Sequence, residues 1–172
     1  MSFEKFNSFF RAMLVVSVVG FATGCSTTGS LNMHETQQGH SIKGAVASLT
    51  TMAPDEKGND TAIQLRGQVA SHLLGAGLFK SISNQEEKDS DYNIAIKLTE
   101  IDEVSGVSRV LLGVLAGSNK IAGDVTVTNA RTGQTVRSFS FLGESASHPF
   151  SGKSDIKDAI NKSAEEIIKG LN

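Results

Sequence analysis

Tyr92, Ile94, Ile96 and Leu98 alternate with Asn93, Ala95, Lys97 and Thr99, and no other stretch constrains the fold of this chain as tightly. A period of two places the two sets of side chains on opposite faces of a strand, one face dry and the other wet. Such a strand needs hydrogen-bonding neighbours and a cover for its dry face. Ile121 to Asn129 supplies a neighbour, because Ile121, Val125 and Val127 alternate with Asp124, Thr126 and Thr128. Ala130-Arg131-Thr132-Gly133 reads as a turn, with glycine where positive φ is needed. Val136 to Ser145 returns as the second arm of a hairpin, with Phe139 and Phe141 on one side. So short a connection makes the pair antiparallel.

Two amphipathic segments supply the cover. Asn59 or Asp60 caps a helix running to Leu74 or Gly75, with Ala62, Leu65, Val69 and Leu73 on one stripe and Ile63, Ala70 and Leu74 beside it. Ser154 caps a final helix whose buried face is Ile156, Ile160, Ala164, Ile167 and Leu171. Asp155 and Asp158 in its first turn and Lys169 in its last complement the helix dipole. Ile42 to Leu49 and Phe79 to Ser83 read as shorter strands, separated from the first helix by the breaker 54–59 and by Gly75 and Gly77. The predicted order is β-α-β-β-β-β-α. This is an α+β domain, a mainly antiparallel sheet of about five strands with two helices packed on one face.

What precedes the domain sets its location. The 172 residues contain a single cysteine, Cys25, which excludes an internal disulfide and a cysteine-based zinc cluster. Lys5 and Arg11 precede an apolar run from Ala12 to Ala22, of a length typical of a signal peptide and well short of the ~20 residues of a spanning helix. Ala22, Thr23 and Gly24 are small enough for a peptidase to hold the backbone beside Cys25. The arrangement resembles the lipobox of bacterial lipoproteins, with Ala22 where leucine is favoured. That resemblance implies cleavage after residue 24 and a diacylglycerol thioether on Cys25, an anchor whose chains hold by roughly 0.8 kcal/mol per buried CH₂. Ser26, rather than aspartate, follows the cysteine, which points to the outer membrane with the domain facing the periplasm. The predicted division is a leader over 1–24, a flexible polar tether over 25–41 that holds His34 and His40, and a domain over 42–172. Without Lys5, Arg11 and Glu4 the mature chain keeps 14 basic and 17 acidic residues, a net charge of −3. No basic stripe invites nucleic acid.

One stretch stands apart. Residues 106–118 are apolar and punctuated by glycine, yet too short to cross a bilayer. Either Val110, Leu111, Val114 and Leu115 close one end of the core, or part of the loop is a docking patch made by Arg109, Val110, Leu111, Leu112 and Leu115 for a partner, another copy or the membrane. The run from Ser108 to Val136, SRVLLGVLAGSNKIAGDVTVTNARTGQTV, resembles a family of bacterial lipoproteins known as a domain of unknown function. Gly113, Gly117, Thr132 and Gly133 carry the likeness, joined by the segment Leu73 to Phe79 and by Asp91-Tyr92. It implies a small periplasmic α/β domain with no known catalytic residues.

Catalytic patterns are not found. The chain holds no G-x-S-x-G, H-E-x-x-H or phosphate loop. Ser147-His148 is only a sequence adjacency, and Glu86-Glu87 and Glu165-Glu166 read as solvated carboxylates. The expectation is a non-enzymatic accessory or assembly factor for another envelope component, without cofactor or metal. A binder of a small hydrophobic ligand or lipid, and a homo-oligomeric structural lipoprotein, are the alternatives.

Overall fold

A computed structural model describes residues 27–36, 42–85, 89–104, 117–146 and 156–172. It contains β1 (Thr28–Thr36), β2 (Gly44–Met52), a 3₁₀ turn (Glu56–Gly58), α1 (Asn59–Gly75), β3 (Phe79–Ser83), β4 (Tyr92–Asp102), β5 (Lys120–Asn129), β6 (Thr135–Glu144) and α2 (Ile156–Leu171). Six strands form one sheet in the order β1-β6-β5-β4-β2-β3. The expected α+β class stands, with a sixth strand added.

The added strand corrects the tether. Thr28 to Thr36, inside the 25–41 stretch expected to be flexible, pairs antiparallel with β6 along the sheet edge. Its composition hid it. An edge strand with one wet face needs few apolar residues, and β1 sets only Gly29, half-buried Leu31 and exposed Met33 on the helix side of the sheet. The sheet is also less antiparallel than expected. β1, β6, β5 and β4 are joined antiparallel, but β2 runs parallel to both β4 and β3.

A stagger makes the second parallel arrangement possible without another helix. Ser48 of β2 is level with both Ser83, the last residue of β3, and Asn93, near the start of β4. The chain leaving β3 therefore need only step sideways across β2. Two anchors hold that step, Ser48 Oγ donating to Gln85 O at 2.8 Å and Asp91 N donating to Val46 O at 2.8 Å.

Both helices lie on the dry face and touch each other. Ala62, Leu65, Val69 and Leu73 of α1 and Ile160, Ala164, Ile167 and Leu171 of α2 are buried against Leu49, Ile94, Ile96, Val125 and Phe139. α2 comes so close to β6 that a Cβ at Gly143 would lie 2.5 Å from Ser163 N. The cap of α1 differs from expectation. Neither Asn59 nor Asp60 caps it; Asp55 Oδ1 instead accepts from Gly58 N at 2.9 Å and starts the 3₁₀ turn that leads in. The β5–β6 turn is built as predicted, with Gly133 at φ 71° and Asn129 Oδ1 accepting from Arg131 N and Thr132 N, both at 3.0 Å.

On the outward side of α1, Ile63 and Leu74 are exposed, and a Cβ at Gly67 would meet nothing within 4 Å. A mid-helix glycine without a packing reason costs stability through the freedom it loses on folding. Gly67→Ala should therefore raise the unfolding free energy by about 0.8 kcal/mol, read from the urea midpoint at unchanged slope. A loss of stability would mean that Gly67 is held against something.

Candidate functional site

The face of the sheet away from the helices is open. It carries Asp124, Thr126, Ser138, Ser140 and Lys97, the wet half of the alternation read from the sequence. Hairpin register sets Asp124 opposite Ser140, and Ser140 Oγ donates to Asp124 Oδ1 at 2.7 Å. His34 reaches the same serine from β1, its Nε2 on Ser140 Oγ. A hydroxyl has one proton and a carboxylate only accepts, so the proton of Ser140 points at Asp124 and His34 Nε2–H donates to the serine. This is the reverse of a nucleophile–base pair, in which the imidazole must accept from the hydroxyl. Beside the chain lies a shallow groove of about 560 Å³ with His34, Thr50, Met52, Lys97 and Thr126 in its lining.

At one end of the sheet the strands finish in register. Thr28 pairs with Glu144, Glu144 with Lys120, and Lys120 with Asp102. Thr28 Oγ1 donates to Glu144 Oε2 at 2.8 Å, and Lys120 Nζ lies 3.5 Å from Glu144 Oε1. Behind this rim Asn119 is fully buried and joins three segments. Its Oδ1 accepts from Val104 N at 2.8 Å, its N donates to Ser145 Oγ at 3.0 Å, and its carbonyl accepts from Ser145 N at 2.9 Å. The chain leaving β4 and the chain entering β5 are thus fastened side by side.

At the other end Asp91 Oδ2 accepts from Ala45 N at 2.6 Å and Val46 N at 3.2 Å. Gly44 has no room for a Cβ because that carboxylate fills it. This aspartate is spent on holding β2 to the start of β4.

Other titratable groups serve the packing of α2. Glu166, expected to be solvated, is 5% exposed and fills the space over Gly29. Lys169 at 2.7 Å and Lys162 at 3.5 Å offset its charge. The Glu165 carboxylate, hydrogen-bonded at 2.9 Å, holds Lys162 above the ordinary lysine value. Burial pushes Arg137 below the ordinary arginine value, and its guanidinium donates to Gly170 O at 2.9 Å near the α2 C-terminus.

Cys25, the recognition residues Ala22, Thr23 and Gly24, and the loop residues Arg109, Val110, Leu111, Leu112 and Leu115 lie outside the described residues. So do His40, His148, Glu86 and Glu87. His34, expected to be a solvated linker residue, sits on β1 instead. The Asp124–Ser140 pair was within one residue's reach of sequence reasoning: counting back from Thr128 opposite Thr135 sets Asp124 against Phe139, and an irregularity between Val127 and Thr128 moves it to Ser140. His34 was not, being 106 residues from its partner. Among the described residues no three of His, Cys, Asp or Glu gather as a metal site, and no helix is long and apolar enough to cross a membrane.

Comparison with known proteins places this fold. No curated protein matches the chain. Among solved structures, the PelC dodecamer from Paraburkholderia phytofirmans is similar with a TM-score of 0.59 at 13% identity, over 84% of this chain and 97% of that one. A substituted form of the same dodecamer in another crystal form gives 0.58 at 14% identity, with the same coverage. A lipoprotein from Neisseria meningitidis is matched over 75% of this chain and all of that one, at 13% identity and a TM-score of 0.44. The family described as a domain of unknown function, DUF4410, matches residues 30–149, more than half of the sequence, and the chain belongs to that family.

Proposed function

We propose that this is a lipid-anchored outer-membrane protein whose domain faces the periplasm and serves, without catalysis, as an accessory or structural subunit of a larger envelope assembly. Several copies associate to form that subunit. The observation that carries the reading is the likeness of the fold, over 84% of the chain, to a protein that assembles as a dodecamer. Among the described residues no strand neighbours β1 on its outer side, and such an edge is the kind of backbone surface on which a further chain can dock. The lipobox-like end of the apolar run supports the anchor.

Mass measurement on protein extracted in mild detergent tests both halves. The expected species is a closed multiple of the chain, with diacylglycerol on Cys25; Cys25→Ser is expected to lose the lipid and leave the membrane fraction. A monomer at working concentrations overturns the assembly, and a free thiol on Cys25 overturns the anchor.

A further inference from the structure

We propose that the rim of the sheet formed by Thr28, Glu144, Lys120 and Asp102 rests against the lipid bilayer, with the strands rising away from it. The inference rests on the lipid-anchor reading and adds to it an orientation and a contact surface.

The argument begins with reach. Thr28, the first residue of β1, follows Cys25 by three positions, and three residues span at most about 10 Å. The headgroup layer of one leaflet is roughly 5–8 Å deep, so an acylated Cys25 leaves the start of β1 almost no slack above the surface. The tether expected from the sequence would have let the domain tumble; β1 removes it. Strand register then carries the constraint across the sheet, because Thr28, Glu144, Lys120 and Asp102 stand level on four neighbouring strands.

The strand ends are also tied together behind this rim, Asn119 Oδ1 accepting from Val104 N and Asn119 N donating to Ser145 Oγ, so that β4, β5 and β6 meet the surface as one unit. The rim itself has Asp102, Glu103 and Glu144 against Lys120, a charge that favours a zwitterionic surface over an anionic one.

The test uses the full acylated chain in phosphatidylcholine vesicles carrying a headgroup spin label. Acylation occupies the only native thiol, so Asp102→Cys, Lys120→Cys and Arg131→Cys each accept a single fluorophore. The fluorophores at 102 and 120 should be quenched about twofold and the one at 131 left bright, since β5 sets the two ends about 30 Å apart. Quenching at 131 equal to or above that at 102 and 120 overturns the proposal. So does a fluorophore that stays bright at all three positions in protein that floats with the vesicles, while the anchor then stands. Protein that does not float and keeps a free Cys25 thiol overturns the anchor reading and this proposal together.

Discussion

Replacing Phe139 by alanine lowers the unfolding free energy by about 4 kcal/mol, the middle of the range for a buried phenylalanine. Phe139 is fully buried in the middle of β6, paired with Val125 on one side and Met33 on the other. The backbone of α2 rests on its ring, because a Cβ at Gly170 would lie 2.6 Å from Phe139 Cε2. A glycine has no side chain with which to fill the space that the ring vacates, so the cavity persists and its cost adds to the lost transfer energy. Urea unfolding reads the change as a drop in midpoint, and a loss below about 2 kcal/mol would mean that α2 collapses onto the sheet. The geometry also predicts a reversal of sign. Gly170→Ala destabilises the parent, where it meets the ring, and restores part of the loss in the Phe139→Ala background.

Gly143→Ala is the second large effect, expected to cost about 3 kcal/mol by overpacking. The added Cβ would lie 2.5 Å from Ser163 N and 2.9 Å from Ala159 O, both backbone atoms of α2. Neither can withdraw alone, so the helix must lift off β6. Gly29→Ala is the control. Gly29 faces Gly143 across the β1–β6 ladder and also lies under α2. The three atoms nearest a Cβ there all belong to the side chain of Glu166, the first being Oε1 at 2.5 Å, and that side chain can swing aside. It should cost no more than about 1 kcal/mol, near the centre of the distribution for single substitutions. Equal losses at the two glycines, in thermal or urea unfolding, would show that α2 does not lie as close to β6 as described.

The contrast between these glycines also shows what was legible in advance. Nothing in the sequence separates Gly143 from Gly29 or Gly67, since each is decided by what stands within 4 Å of a missing Cβ. Glu166 is a similar case. It reads as one of two solvated carboxylates and is buried, because the turn of α2 that carries it lies over Gly29.

The alternations in β4 and β5, the turn at Gly133 and the inner stripes of both helices follow from the sequence alone. Each is a local signal, in which burial of one side imposes a period of two or of 3.6 on residues that are neighbours in the chain. The types and approximate positions of those elements were therefore legible before any tertiary contact, although β4 runs on past Thr99 to Asp102 across an irregularity between Leu98 and Glu100. The place of β1 in the sheet, the parallel setting of β2 between β3 and β4, and the meeting of His34 with Ser140 were decided only by the tertiary structure. β1 is polar because it borders the sheet, and its partner Glu144 lies 116 residues from Thr28. β3 and β4 lie parallel across a short connection only because they use successive halves of β2. Periodicity records that a residue is covered, whereas the identity of the covering strand depends on backbone hydrogen bonds that every residue type can make.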